Sequence, residues 1–128
     1  MEKNNLVIDS SVLIAFYHDD EDDHSLAVDI LEKSREHNII LYPYVIQEVV
    51  TILTYRFGLD MAMKFLSDLP RAENVFMPAV DLVGDIEYFK KLNKKISFTD
   101  SSLVRLAKGL NAELVTFDRQ MMSLVKKV

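Results

Sequence analysis

The chain has 128 residues, no cysteine and a formal net charge of −5, with 49% hydrophobic and 27% charged residues. That balance predicts one soluble globular domain over 1–128 and excludes a disordered chain, while the missing cysteines exclude disulfides, zinc–thiolate sites and thiol nucleophiles. No stretch is apolar for long enough to span a bilayer or serve as a secretion leader, so a cytoplasmic protein with no membrane association is the expectation.

Leu6-Val7-Ile8 is continuous, apolar and rich in β-branching, which predicts a short buried strand. Ser10 and Ser11 are placed to cap a helix over 12–17. The run Asp19-Asp20-Glu21-Asp22-Asp23 reads as a solvated loop that could shape substrate or partner entry. The spacing of Leu26-Ala27 and Ile30-Leu31 predicts a helix over 24–37, and Ile39-Ile40-Leu41 a second strand. Pro43 suits a helix start, and the apolar pattern runs on to Phe57 before Gly58 stops it. A helix over 59–69 is closed by Pro70, and a third strand, Val75-Phe76-Met77, is ended by Pro78. A helix over 80–92 follows, weakened by Gly84. Thr99 or Asp100 caps the next helix, which carries Leu103, Val104, Leu106 and Ala107 and ends at Gly109. A fourth strand over 113–116 and a helix over 119–125 complete the pattern. Continuous apolar strands alternating with helices predict an α/β fold, a mainly parallel central sheet covered on both faces.

Four acids stand out against this frame. Asp9 closes the first strand and Asp118 the fourth, and ligands of open α/β sheets bind beyond the carboxyl ends of strands. Asp100 opens a helix and can face the same rim. Glu48 borders the apolar arc of Val45, Val49, Ile52 and Leu53, where an ordinary surface glutamate would lie opposite the core. Four carboxylates gathered in one pocket suit a hard divalent cation. Each acid also has a plainer reading: Asp9, Asp100 and Asp118 as helix caps or first-turn acids, Glu48 as an ordinary helical residue. His18, His24 and His37 lie outside any catalytic context. Arg56 falls within the apolar arc of its helix, so it either snorkels or pairs with an acid near the rim. Met61, Met63, Met121 and Met122 read as core or interface filler.

The segments Val7-Ile8-Asp9-Ser10-Ser11-Val12-Leu13-Ile14, Gln47-Glu48-Val49, Ser97-Phe98-Thr99-Asp100-Ser101-Ser102-Leu103 and Val115-Thr116-Phe117-Asp118 resemble the acidic motifs of PIN-domain ribonucleases. The likeness is strongest to the small VapC-type toxins of prokaryotic toxin–antitoxin pairs, in their order and over essentially the whole chain. The resemblance implies a three-layer α/β/α fold with the acids at one rim. It implies Mg²⁺ or Mn²⁺ held directly by Asp9 and Asp100, and by Glu48 and Asp118 directly or through water. Ser11 and Thr116 would support the acids. The substrate would be RNA, cut by metal-activated water to a 5′-phosphate and a 3′-hydroxyl. A cognate antitoxin would place a basic residue in the acidic pocket, and a homodimer could use apolar residues of 59–69. Arg105 stands where many relatives keep a small residue, which leaves the local packing open.

The net charge argues against a nucleic-acid partner in general, because phosphates are met by Lys and Arg. Five of the acids lie in one loop, however, and Lys90, Lys91, Lys94 and Lys95 cluster in one segment. These lysines read as a solvated helix end that could also touch RNA. Two other classes compete. A non-catalytic PIN scaffold binding RNA or protein usually lacks one or more of the acids. An Asp-based phosphatase or receiver-type domain places a second acid two positions after the first, where this chain has Ser11.

Overall fold

The computed structural model describes residues 3–126. Four strands, β1 (Asn5–Ile8), β2 (Asn38–Ile40), β3 (Val75–Phe76) and β4 (Glu113–Val115), form an all-parallel sheet in the order β3-β2-β1-β4. Its register sets Val7 between Ile40 and Leu114. Parallel neighbours need long crossovers, usually helical. Helices α1 (Ser10–Tyr17) and α2 (His24–Lys33) carry the chain from β1 to β2, and α3 (Pro43–Ile52) and α4 (Leu59–Asp68) from β2 to β3. Helices α5 (Leu82–Leu92) and α6 (Phe98–Gly109) lead from β3 to β4, and α7 (Arg119–Lys126) follows.

The first two crossovers step outward from β1, and the third returns past it to the other side. Right-handed connections therefore put α1–α4 on one face and α5–α6 on the opposite one. The packing agrees: α1 lies against α2 and α3, α3 against α4, and α6 against α5 and α7. The covered parallel sheet expected from the alternation of elements, and the three-layer α/β/α arrangement that the resemblance implies, are what forms. Because the sheet is covered on both faces, β1 is apolar from Leu6 to Ile8, and Val7 and Ile8 are fully buried with Val12, Val45, Val49, Leu53, Leu103 and Val104. Each such side chain stabilises the fold by about 1.5–3 kcal/mol. Among the described residues no helix is long and apolar enough to cross a membrane.

Several local expectations are corrected. Asp9, with extended backbone (φ −80°, ψ 155°), caps α1, because Ser10 and Ser11 are already helical. Ser97, not Thr99 or Asp100, caps α6, its hydroxyl accepting from the Asp100 amide at 3.0 Å. The helix expected over 24–37 stops at Lys33 and passes into a 3₁₀ turn, Ser34–Glu36. The helix expected over 43–57 stops at Ile52 and continues as a wide π turn, Leu53–Phe57. Gly58 closes that turn through its amide bond to the Leu53 carbonyl (2.9 Å), at φ 113° and ψ 154°. A side chain at such a backbone position is strained, so glycine is needed there. The widened turn carries Arg56 to the surface, 3.5 Å from Glu21 of the acidic loop and 5.0 Å above the Phe57 ring. It pairs with the loop rather than with an acid of the rim. Leu41, Met77 and Thr116 fall just beyond the strands, and Val80 precedes α5.

Arg105 finds partners that sequence reading left open. Its guanidinium meets Asp81 Oδ2 at 2.8 Å and Asp85 Oδ1 at 3.0 Å. Asp85 is 1% exposed and also accepts from the Tyr42 hydroxyl at 2.8 Å. That hydroxyl in turn accepts from the Asp81 amide. Gly84, a weak point for helix α5, is what leaves room: a Cβ there would collide with the Arg105 guanidinium. The Tyr44 hydroxyl is buried nearby without a hydrogen-bond partner among the described residues, and burial pushes it up to about 12.

Candidate active site

The chain direction reverses around β1: β2 lies on one side and β4 on the other. In open parallel sheets the crevice at such a switch point, beyond the carboxyl ends of the strands, is where ligands sit. Asp9 follows β1 and Asp118 lies beyond β4, so both stand at that crevice. The Asp9 amide extends the ladder by donating to the Val115 carbonyl at 3.0 Å.

Asp9 is 3% exposed, and its carboxylate is held by four donors. Oδ1 accepts from the Ser10 amide (2.8 Å) and, more weakly, the Ser10 hydroxyl (3.4 Å). Oδ2 accepts from the hydroxyls of Ser11 (2.9 Å) and Thr116 (2.7 Å). Such bonds offset the cost of taking a carboxylate out of water. Thr116 Oγ1 also accepts from the Asp118 amide (3.0 Å), and Asp118 Oδ1 accepts from the Met121 amide (3.0 Å), capping α7. Ser11 Oγ accepts from the Phe117 amide (3.4 Å). Ser11 and Thr116 therefore clamp β1 to the turn after β4, with Asp9 between them.

Glu48 reaches the same place from α3, its Oε1 taking the larger share of the one proton of the Ser10 hydroxyl, which Asp9 Oδ1 shares at longer range. Asp100 projects from the first turn of α6. Burial, then the negative charges of Asp9, Glu48 and Asp118, raise it from 3.8 to about 6, while the Ser97 hydroxyl pulls the other way. All four acids are thus close enough for Asp100 to feel the other three. As placed, no three histidine or acidic side chains among the described residues form a group that could ligate one ion. A groove of about 520 Å³ opens beside Glu48, lined by Tyr44, Gln47, Thr51, Phe98 and Thr99.

The raised carboxyl has a measurable consequence. Unfolding returns Asp100 to its ordinary value, so the folded state holds the extra proton between pH 3.8 and about 6. Its penalty is absent below that window and complete above it, so stability falls as pH rises through it. In the metal-free protein, the difference in urea midpoint between the wild type and Asp100→Asn should grow as pH rises from about 4 to 7. A difference that stays constant would mean the carboxyl is not strained by its neighbours.

A PIN-domain family model matches residues 6–127. The chain belongs to the PIN-domain family. Among solved structures, VapC20 of Mycobacterium tuberculosis, a sarcin–ricin loop cleaving toxin, matches with a TM-score of 0.79. The match covers 92% of this chain and 93% of that one at 18% identity, a likeness of fold. No curated protein sequence matches this chain.

One member of this PIN-domain rim escaped sequence reading. Ser10, 6% exposed, links Asp9 to Glu48, but its position after a strand suggested only a helix cap. A tighter reading of Asp9-Ser10-Ser11 was available: in a helix starting at Ser10, adjacent serines point about 100° apart, so two hydroxyls can serve two different acids. The histidines stay outside: His18 stacks on Phe57 at 3.7 Å, and His24 and His37 bond to backbone at Ala15 and Asn4.

Proposed function

We propose that this PIN-domain protein is a divalent-metal-dependent ribonuclease, the toxin of a toxin–antitoxin pair acting in the cytoplasm. The observation that carries the reading is the convergence of charge: a buried, four-donor Asp9 is tied through Ser10 to Glu48 and through Thr116 to Asp118, and all three charges press on Asp100. The donor set is carboxylate oxygen alone, which fits Mg²⁺ or Mn²⁺ and not a soft metal. Asp9 and Asp100 would hold the ion directly, and Glu48 and Asp118 directly or through water, in keeping with the several waters Mg²⁺ retains. When bound, such an ion supplies a water acidic enough to attack near neutral pH and offsets charge at the phosphate.

The chain's own residues do the rest. Ser10, Ser11 and Thr116 fix the Asp9 oxygens so that they cannot rotate away. Glu48 and Asp118 orient the attacking water on the phosphorus. A new oxygen–phosphorus bond forms, the bond to O3′ breaks, and the products are a 5′-phosphate and a 3′-hydroxyl. Ser11 stands where a phosphatase or receiver-type domain would carry its second acid, and its hydroxyl serves Asp9, so that class is disfavoured.

The antitoxin would inhibit by inserting an Arg or Lys among the acids, a cation in place of a cation. The exposed Leu59, Met63 and Leu66 of α4 offer an apolar stripe for a homodimer, to be checked by sedimentation of Met63→Glu. The deciding assay incubates the purified chain with structured and unstructured RNAs in Mn²⁺, Mg²⁺ or EDTA. Metal-dependent cleavage supports the reading; RNA binding without cleavage under any metal makes the chain a PIN scaffold instead. Thr116→Val keeps the shape but removes a donor from Asp9 and an acceptor from Asp118. Cleavage should fall about 10- to 100-fold, the usual cost of losing a partner of a metal ligand. An unchanged rate would remove Thr116 from the machinery.

A further inference from the structure

Two half-buried rings join the candidate active site to the lysine cluster. Phe98 walls the groove beside Glu48. Phe89 walls a second cleft, of about 450 Å³, built with Lys90, Asn93, Lys94 and Lys95. The two ring centroids are 5.7 Å apart, and Phe98 stands 5.8 Å from Tyr44. The clefts therefore lie on either side of one aromatic wall. Asn93 turns the chain at the second cleft: its left-handed backbone (φ 48°, ψ 49°) ends α5, and Lys94 and Lys95 beyond it line the same cleft as Phe89. Lys90, Lys94 and Lys95 are exposed and make no ion pair among the described residues.

A chain of net charge −5 gains nothing in solubility by concentrating cations in one place. The site itself also repels phosphate, so a polyanion must be gripped to one side of the acids. Aromatic rings interleaved with lysines are the chemistry of single-stranded nucleic acid: cations follow the backbone and ring faces take unstacked bases. A duplex would hide those base faces. Building on the ribonuclease reading above, we propose that an unpaired RNA strand runs from the acidic rim across Phe98 and Phe89 to phosphate contacts with Lys90, Lys94 and Lys95.

The test measures binding separately from cleavage. Fluorescence anisotropy with a labelled unstructured 12-mer and a duplex of equal length is run across a salt series, using the full chain carrying Asp100→Asn. Adding Lys90→Ala, Lys94→Ala and Lys95→Ala should weaken single-strand binding about tenfold or more. It should also flatten the log–log salt slope by about 2, three contacts at about 0.7 each. The charge-matched triple Lys33→Ala, Lys64→Ala, Lys108→Ala should leave both unchanged. Phe89→Leu, which keeps the packing, should lower affinity about five- to a hundredfold, the range of base stacking, with the slope intact. If the parent binds RNA and the cleft triple matches it in affinity and slope, the track is wrong while the ribonuclease reading stands. Tighter binding of the duplex than of the 12-mer overturns the single-strand assignment in the same way. If the wild type neither cleaves nor binds RNA, both readings fall together.

Discussion

Asp100→Asn is expected to lower metal-dependent RNA cleavage by at least a hundredfold while leaving the metal-free protein as stable as the wild type or firmer. Losing even an outer partner of a metal ligand costs 10- to 100-fold, so losing an anionic ligand should cost at least the upper end. Stability moves the opposite way because Asp100 is lifted to about 6 by burial and then by the charges of Asp9, Glu48 and Asp118. An asparagine of the same shape carries no charge to be repelled. A shift of that size corresponds to at most about 3 kcal/mol. Asp100 is only half-buried, so solvent screening brings the gain nearer to about 1 kcal/mol above pH 6. Asp9→Asn should abolish cleavage equally but without that gain, since it disturbs four hydrogen bonds at a buried position. Thermal melts in EDTA beside cleavage assays in Mn²⁺ separate the two effects. Loss of both stability and cleavage in Asp100→Asn would mean that the residue acts by holding the fold.

The layered fold was legible because its strands are short and, after their first residue, continuously apolar rather than alternating, the pattern of a sheet covered on both faces. Asp9 and Asp118 could be placed from that frame, each falling just past a strand. Glu48 and Asp100 could be suspected, but not joined to them: the Ser10 hydroxyl reaches Glu48 across 38 residues, and Asp100 is linked to the others by charge alone. What stayed hidden is local geometry with no periodic trace. Hydrophobic spacing runs unbroken from 43 to 57, and nothing in it marks the change from α to π turn that swings Arg56 outward. Ser97 and Asp100 are both good caps, and choosing between them needs the backbone angles. Arg105 looked like a misfit because its partners, Asp81 and Asp85, lie 24 and 20 residues away.

That network yields the largest expected effect on folding. Arg105→Ala removes the cation beside a carboxylate that is 1% exposed, leaving Asp85 with the Tyr42 hydroxyl as its hydrogen-bond donor among the described residues. Breaking one side of a buried ion pair typically costs 3–5 kcal/mol, because the surviving charge is left uncompensated. Arg105 is itself about one-third exposed and water can partly replace it, so the lower end applies. For a chain of this length that is a fall in Tm of about 10 °C. The partner at the surface behaves differently: Asp81→Ala loses a mostly exposed ion pair and a helix cap, and should lower Tm by less than Arg105→Ala does. Pairing Arg105→Ala with Asp85→Leu should cost less than the sum of the single changes, since the stranded charge is gone. The consequence reaches the site because the network ties Tyr42, which precedes α3 and Glu48, to α6 and Asp100. Arg105→Ala should therefore also slow cleavage at temperatures well below its melting point. Strictly additive costs in the double variant would show that Asp85 and Arg105 are neighbours without being coupled.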